Sequence, residues 1–366
     1  MRIPKYKAVY LYLTHACGAK CSYCYRQGFY DRNDVYGGAC GPIKMTEKVA
    51  LDAVEYCLTN LDVDDTISFF FWGGEPFLNY KVMKKVVETY PQFEYHTNTE
   101  GRAVTQEMSD FIKDFGHLGV TWSLGNAYEK YGSLQGKVEK EKPIAEAIRH
   151  LKLRGGVNLV LQNYKNMCED FKYIADNLTH QITVDFATKQ ERTDEQMKDF
   201  EESYYQLLKT YMGKGSKFSG LNPLYNSNQW LEKFGPTEKI RRYRFCNTGL
   251  ERLFIDTQGG IWQCDNMYVC QHNQLGSIYD GIDYSKLDYV YEIKDNIDEK
   301  MSQHCEGCEA NGYCPRNKCL GYNLEWTGDM FKPDITFCLM CRAIYRVINK
   351  LMQDELQGET QCQQEK

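Results

Sequence analysis

Short apolar segments alternate with amphipathic segments six times over the first two thirds of the chain. The apolar segments have the length and content of buried strands, whereas the amphipathic segments carry apolar residues at helical spacing. The predicted strands are residues 7–14, 66–72, 93–97, 119–124, 157–162 and 181–187, and the predicted helices begin at about residues 46, 80, 105, 143, 167 and 194. This alternation predicts an α/β fold with a parallel sheet and outer helices.

Three cysteines, Cys17, Cys21 and Cys24, directly follow the first predicted strand with the spacing C-x3-C-x2-C. In α/β barrels, chemistry gathers on loops at the C-terminal ends of the strands. Three thiolates can hold three irons of a [4Fe–4S] cube and leave the fourth iron open to a small molecule. A zinc site is the alternative, but it usually closes a tetrahedron, and the next cysteine, Cys40, lies sixteen residues beyond Cys24.

The loop after the second predicted strand reads Gly73-Gly74-Glu75-Pro76. Glycines let the backbone approach a ligand closely, and a carboxylate can pair with an ammonium group. The same residue types also form simple turns. Because the segment follows the triad at the end of the next strand, a ligand site is the favoured interpretation.

Cysteine density rises after Gly235, where ten of the sixteen cysteines lie. Four of them, Cys305, Cys308, Cys314 and Cys319, have the spacing C-x2-C-x5-C-x4-C. One tetrahedral zinc needs fewer ligands than this region offers, although two zinc ions remain an alternative. We therefore predict a core at residues 1–235, a cysteine-rich domain at 240–348, and a helix end with a fraying tail at 349–366.

Charge and hydropathy narrow the class of partner. The net charge is −6 and no long basic run occurs, which disfavours nucleic-acid binding. No apolar run reaches the length of a membrane helix, and the first residues lack the apolar core of a signal peptide. Sixteen cysteines without an export signal fit reduced thiolates that ligate iron, hence a cytoplasm low in oxygen.

The triad, with Tyr23 just before its third cysteine, resembles the signature of the radical SAM superfamily. The resemblance implies a partial (β/α)6 TIM-like barrel and a cluster whose open iron binds S-adenosylmethionine (SAM). Reductive cleavage of SAM would then yield a 5′-deoxyadenosyl radical. Carried over by motif, the SAM-contacting residues would be Tyr23, Gly73, Gly74, Glu75, Pro76, Asn98 and Ser123.

The chain departs from the family pattern at two strand ends. Gly101 comes three residues after Asn98 instead of directly after it, and Ser123-Leu-Gly-Asn126 lacks the usual aspartate. The family arginine that pairs with the SAM carboxylate has no clear counterpart. Substitutes would have to come from Lys137, Lys140 and Lys142, which we interpret as a solvated charge run.

The late cysteines resemble a SPASM domain, which normally holds two auxiliary [4Fe–4S] clusters, so the resemblance implies three clusters in all. The C-x4-C step is one residue longer than usual. The first auxiliary cluster would use Cys246, Cys264 and Cys319, with Cys270 or an open iron completing it. The second would use Cys305, Cys308, Cys314 and Cys338, with Cys341 as the rival to Cys338. Asp265, which follows Cys264, is a candidate general base.

These resemblances predict a peptide maturase that installs an oxidative thioether or C–C crosslink in a ribosomally made peptide. The first alternative is an anaerobic sulfatase-maturing enzyme, which makes formylglycine from Cys or Ser. The second is a non-catalytic zinc-bound scaffold. The expected partners are a precursor peptide, an electron donor such as flavodoxin or ferredoxin, and a separate peptide-recognition protein, because the first strand begins almost at residue 1.

Overall fold

A computed structural model describes residues 2–24, 26, 44–161, 164–187, 191–211, 246–310 and 319–364. The six predicted β/α units are present within these ranges, with ends shifted by at most a few residues. The strands are β1 Tyr6–Thr14, β2 Val63–Gly73, β3 Glu94–Thr99, β4 Leu118–Ser123, β5 Gly155–Leu161 and β6 Ile182–Phe186. The helices are α1 Glu47–Asn60, α2 Tyr80–Thr89, α3 Gln106–Asp114, α4 Ala127–Tyr131, α5 Leu134–Lys140, α6 Lys142–Leu151, α7 Met167–Asn177 and α8 Asp194–Tyr211.

The cysteine-rich region contributes short strands and four further helices. Its elements are β7 Arg252–Ile255, β8 Gly260–Trp262, α9 Asp265–Val269, β9 Gln274–Ser277, β10 Gly281–Ile282, α10 Tyr284–Cys305, α11 Leu320–Thr327 and α12 Ile335–Gln364. Helix α12 extends to Gln364 and covers most of the tail, whose fraying stays a prediction. Gln and Glu, which dominate this segment, are good helix formers.

One ten-stranded sheet runs through both predicted domains, in the order β10-β9-β8-β7-β1-β2-β3-β4-β5-β6. Strands β1 to β6 are parallel neighbours in chain order, which confirms the α/β fold class. Strand β7 joins the other side of β1 in parallel, and β8 to β10 continue as an antiparallel meander. The predicted domain boundary at 235–240 lies outside the described residues.

The two faces of β1 serve different purposes. Val9, Leu11 and Leu13 are fully buried in the main core between the sheet and its helices. Tyr10 and Tyr12 face the opposite side, the inner face of the sheet, where Tyr12 packs in a smaller cluster with Phe254. This alternation follows from the two-residue period of a strand.

Helix α1 shows how local sequence fixes an element. The Thr46 hydroxyl accepts a hydrogen bond from the Val49 N–H at 3.2 Å and so caps the N-terminus of the helix. The apolar stripe of the helix, including Cys57, is buried against the sheet. No helix in the described part of the chain is long and apolar enough to cross a membrane.

Candidate active site

The triad loop and the Gly-Gly-Glu-Pro segment lie side by side where β1 and β2 end. The Gly74 N–H donates to the Thr14 carbonyl at 2.8 Å, and the Glu75 N–H donates to the Ala16 carbonyl at 2.9 Å. Gly73 has a φ of +144°, and a Cβ on it would stand 2.5 Å from the Thr14 oxygen. Only glycine permits this approach. The two sequence motifs therefore form one backbone cradle.

The three triad thiols are partly buried beside this cradle. Burial raises the pKa of Cys17, and it raises the pKa of Cys21 to about 11, with the charge of Cys24 adding to both. Such thiols ionise when a metal binds them. No three His, Cys, Asp or Glu side chains of the described residues converge as ligands of one metal ion. A cubane places each thiolate on a different iron, so this donor set is compatible with a cluster.

Tyr23 occupies a space that a glycine provides. A Cβ on Gly125 would stand 2.3 Å from the Tyr23 hydroxyl and 2.6 Å from the Val160 Cβ. Burial, and next the charge of Cys21, raises the pKa of Tyr23 well above its usual value. The Ser123-Leu-Gly-Asn126 departure from the family pattern thus leaves room for the aromatic residue of the triad.

Glu75 turns its carboxylate into the protein, where it is 2% exposed. It accepts hydrogen bonds from the Phe77 N–H at 3.1 Å, the Thr99 hydroxyl at 3.0 Å and the Glu100 N–H at 2.8 Å. Burial raises the pKa of Glu75 to about 7, against the lowering effect of these bonds. The side chain therefore ties the loop after β2 to the loop after β3.

The other predicted SAM contacts lie around this cradle. Pro76 begins a single 3-10 turn, Pro76–Asn79. Asn98 and Ser123 are half-buried near the ends of β3 and β4. All of them therefore occupy the C-terminal side of the sheet, as the sequence predicted.

An ion pair between Arg102 and Glu100, which the sequence analysis did not select, lies beside the triad loop. The Arg102 Nε donates to both oxygens of Glu100, at 2.9 and 3.0 Å. The charge of Glu100 reaches the Cys17 thiol, and the Arg102 Nη2 is 3.9 Å from where a Cβ on Gly18 would stand. A carboxylate and a guanidinium thus stand together at the loop that carries the first two triad cysteines.

Lys137 is not part of a solvated charge run, so that interpretation is wrong for this residue. Its side chain is fully buried. The Lys137 ammonium donates to the Glu100 carbonyl at 2.6 Å and to Glu141 at 2.9 Å. Glu141 also accepts from Trp122 and Tyr131. This buried network holds the loop after β3 in place through the Glu100 carbonyl.

The neighbouring cations Lys140 and Lys142 are exposed, as predicted. Lys137 differs because its i,i+4 partner Glu141 is also buried. Leu134 and Val138 of the same helix are buried as well. Their apolar spacing was the signal that could have placed Lys137 inside.

The cysteines assigned to the first auxiliary cluster form one group. Burial raises the pKa of Cys264 well above its usual value, and the charges of Asp265, Cys319 and Cys246 add to this effect. Burial, and next the charge of Cys246, raises the pKa of Cys319 to about 12. The Asn266 amide donates to the Cys319 sulfur at 3.3 Å. Thiols from three separate segments therefore lie within reach of one another's charge.

Cys270 lies at the other end of the short helix α9, which Cys264 caps. Its thiol donates to the Gly321 carbonyl at 3.7 Å, close in sequence to Cys319. Cys270 therefore lies near Cys319 but is separated from Cys264 by the length of helix α9. The fourth-ligand role of Cys270 stays a prediction.

In the second predicted cluster, Cys308 and Cys338 share a neighbour. The Arg342 guanidinium hydrogen-bonds Cys308, and the charge of Cys338 acts on the same group. Cys341 is 2% exposed and packs in the main apolar core. The choice of Cys338 over Cys341 as the ligand stays a prediction.

Two further residues complete that predicted set. Cys305 is buried at the end of α10, and the Cys308 N–H donates to its carbonyl at 3.2 Å. Cys314 lies outside the described residues. The second set therefore stays a prediction.

Asp265 is bound by two donors from the core. The Arg26 Nη2 stands 3.2 Å from Asp265 Oδ2, and the Trp72 indole N–H donates to the same oxygen at 3.0 Å. Arg26 is 2% exposed and also donates to the Tyr12 hydroxyl at 2.6 Å. The predicted base is thus a carboxylate held by a buried guanidinium.

A row of half-buried rings crosses the inner face of the sheet below the cradle. Tyr10 stacks on Phe70 at a centroid distance of 4.5 Å, and Phe70 stacks on His96 at 4.7 Å. A Cβ on Gly119 would stand 2.8 Å from the His96 ring, so glycine on β4 leaves space for it. The inner face therefore offers aromatic surface to a side chain placed there.

The comparisons with known proteins agree with this geometry. No protein-family model matches the chain. A solved structure of native anSMEcpe with bound AdoMet and the Cp18Cys peptide superposes with a TM-score of 0.63 at 16% identity, covering 94% of this chain and 99% of that one. The chain therefore shares the fold of that structure. The radical SAM cyclopropyl synthase TigE of Paramaledivibacter caminithermalis is 21% identical over 365 residues, covering 93% of this chain and 73% of TigE.

A second solved structure, Streptococcus suis SuiB bound to precursor peptide SuiA, superposes with a TM-score of 0.58 at 12% identity. It covers 92% of this chain and 76% of SuiB. The resemblance to radical SAM maturases drawn from the cysteine spacings is thereby confirmed.

Sequence reasoning missed Arg26, Trp72, Glu100, Arg102 and Lys137. The first four lie within four residues of a motif that it did select. Adjacency to Cys24, Gly73 or Asn98 was therefore an available signal, but the partners that give these residues a role come from distant segments.

Proposed function

We propose that this chain is a radical SAM enzyme that modifies a ribosomally synthesised peptide by an oxidative crosslink, either a thioether or a C–C bond. The observation that carries the proposal is the backbone cradle that joins the triad loop to Gly73–Pro76 at the ends of β1 and β2. A cluster on Cys17, Cys21 and Cys24 would supply the electron that cleaves SAM to a 5′-deoxyadenosyl radical. The similarity to TigE supports the same class.

In SAM binding, the protein would pair its own charges with the zwitterionic methionyl group of SAM. The methionyl end of SAM carries an ammonium and a carboxylate, and Glu100 and Arg102 offer the opposite charges beside Cys17 and Gly18. Arg102 would replace the family arginine that the sequence lacks at its usual place. Glu75 would act by fixing the loop that carries this pair.

The auxiliary cysteines would hold two further clusters, which take up the electron that an oxidative bond formation releases. The nearness of Cys246, Cys264 and Cys319, each of which lies within reach of the charge of another, supports the first cluster. The Arg342 guanidinium, which hydrogen-bonds Cys308 and lies within reach of the charge of Cys338, supports the second. Closing the new bond removes two hydrogens from the peptide. One would leave as a hydrogen atom to the 5′-deoxyadenosyl radical, and the other as a proton together with the electron that the auxiliary clusters would accept.

A peptide substrate is supported by two features. The inner face presents half-buried rings at Tyr10, Phe70 and His96, which suit an apolar or aromatic residue of an extended chain. The structures of anSMEcpe and SuiB each contain a bound peptide. We further propose a small electron donor such as flavodoxin or ferredoxin, a separate peptide-recognition protein, and a cytoplasmic, low-oxygen setting.

The second candidate is formylglycine formation on a sulfatase. It is favoured by Cys264-Asp265, a carboxylate beside a candidate ligand cysteine, and by the similarity to anSMEcpe. The Arg26–Asp265 ion pair weighs against it, because the guanidinium and the Trp72 indole N–H already bind one oxygen of the carboxylate that would have to reach the substrate proton.

Anaerobic reconstitution followed by iron counting and peptide mass spectrometry tests the proposal. Three cubanes require about twelve irons per chain. The expected product is a candidate peptide, encoded beside this chain, that loses two hydrogens without fragmentation. Two zinc ions and no iron would instead identify a scaffold, and a Cys or Ser converted to an aldehyde would identify the sulfatase alternative.

A further inference from the structure

One carboxylate oxygen, Asp265 Oδ2, accepts hydrogen bonds from residues next to two sequence motifs and itself lies next to a third. Asp265 Oδ2 meets both the Arg26 guanidinium and the Trp72 indole N–H. Arg26 lies two residues after Cys24, Trp72 directly precedes Gly73, and Asp265 directly follows Cys264. The triad loop, the glycine cradle and the first auxiliary-cluster segment therefore share a single anchoring point.

We propose that Arg26 is a positioning residue that clamps the segment Cys264–Cys270 onto the SAM-binding loops through Asp265. The claim that the clamp sets the distance between the SAM site and the first auxiliary cluster rests on the proposed function. The clamp itself rests only on the contacts.

Burial makes the clamp stiff. The Arg26 and Asp265 side chains are 3% and 21% exposed, so water screens the pair poorly. Arg26 engages two partners at once, the Tyr12 hydroxyl at 2.6 Å and Asp265 at 3.2 Å. Its guanidinium carbon also lies 4.6 Å from the centre of the Tyr12 ring. A planar guanidinium fixed at several points orients its partners better than a flexible ammonium does.

The clamp also has a defined anchor on each side. Tyr12 belongs to β1, and Trp72 lies in the neighbouring strand β2, paired with Tyr12 in register. On the other side, Asp265 is the first residue of α9, whose Tyr268 packs against Tyr12 at a centroid distance of 5.6 Å. Removing Arg26 would take the buried guanidinium away from Asp265 Oδ2, which also binds Trp72.

Amide hydrogen exchange on the full chain tests the clamp without using catalysis. In Arg26→Gln, exchange across residues 264–270 should rise at least about tenfold, because a broken buried pair opens its segment more often. The matched control is Arg2→Gln, which removes an exposed Arg–Asp pair of 2.8 Å. The control should exchange like the wild type at 264–270. Unchanged exchange in Arg26→Gln would overturn the proposal.

Asp265→Asn separates positioning from proton transfer. Its amide oxygen still accepts from Arg26 and Trp72, so exchange at 264–270 should rise less than in Arg26→Gln. An equal or larger rise would contradict the assignment of Arg26 as the principal clamp. Should Arg26→Gln not fold, Arg26→Lys keeps the charge but reaches one partner at a time, and an intermediate rise is expected; no rise would overturn the clamp.

Catalytic readouts on the same variants keep the two proposals apart. If the wild type makes 5′-deoxyadenosine and product, Arg26→Gln should retain SAM cleavage while the ratio of product to 5′-deoxyadenosine falls at least about tenfold. A preserved ratio would overturn the positioning role. If the wild type cleaves no SAM, the proposed function fails, while the exchange result still decides whether the clamp exists.

Discussion

Gly73 sets how closely the triad loop approaches the cradle. Gly73→Ala would place a methyl group 2.5 Å from the Thr14 carbonyl oxygen in a backbone conformation that L-residues avoid. We expect a loss of about 1–3 kcal/mol in the free energy of unfolding and at least tenfold weaker SAM binding. Thermal unfolding and equilibrium SAM binding measure these effects.

Gly132 provides the control for this substitution. It also has a positive φ, +72°, but a Cβ there would meet no atom within 4 Å. Gly132→Ala should cost about 1 kcal/mol of stability and leave SAM affinity unchanged. Equal SAM affinities in the two variants would contradict the role given to Gly73.

The buried ion pair between Lys137 and Glu141 should contribute to the stability of the fold. Lys137→Met would leave Glu141, itself 4% exposed, without its cation. We expect a loss of about 3 kcal/mol in the free energy of unfolding, measured by urea denaturation. Lys140→Met, on an exposed side chain of the same helix, should change stability by less than about 0.5 kcal/mol. Similar losses in the two variants would argue against the buried ion pair.

At the scale of elements, the contact between α4 and α7 should make stability depend on pH. The Tyr128 hydroxyl lies 2.8 and 2.7 Å from the two oxygens of Asp170. Burial raises the pKa of Asp170 from 3.8 to about 6, although the tyrosine bond opposes this. The folded chain then binds this proton more tightly than the unfolded chain. Its contribution to stability is therefore greatest at low pH and falls as pH rises through that window.

Asp170→Asn should remove this dependence. Between pH 4 and pH 7, wild-type stability should fall by on the order of 2 kcal/mol relative to the variant. Urea denaturation at each pH measures the difference. Asp176→Asn, on the same helix but exposed, is the control and should track the wild type. A pH-independent difference between wild type and Asp170→Asn would refute the assignment.

The order and type of the β/α elements could be predicted from sequence because strand and helix periods are local. Helices α4 and α5 could not, because Gly132 and Gly136 interrupt the segment and its lysines suggest solvent exposure. Lys137 became buried through contacts with Glu100 and Trp122 from other units. A local pattern holds no information on such partners.

At the scale of the whole molecule, substitutions in the two cysteine sets should affect SAM cleavage and product formation differently. Cys24→Ala should abolish 5′-deoxyadenosine formation, since the triad would lose a cluster ligand. Cys308→Ala should reduce product far more than SAM cleavage. Liquid chromatography of 5′-deoxyadenosine and peptide mass spectrometry measure the two yields. Cys168→Ala, whose thiol donates to the Ser203 carbonyl away from the candidate ligand sets, should change neither. Persistent SAM cleavage in Cys24→Ala would refute the triad assignment.

The sequence by itself determined the α/β class, the cysteine spacings and the glycine cradle, because each depends on residues a few positions apart. Only the tertiary structure decided which side chains meet across the molecule. Arg26 and Asp265 are 239 positions apart in the chain, and they meet because β7 pairs with β1 and brings the segment after β8 to the inner face. The order of strands in a sheet is a property of the whole chain, so that contact could not be read from either residue's neighbours.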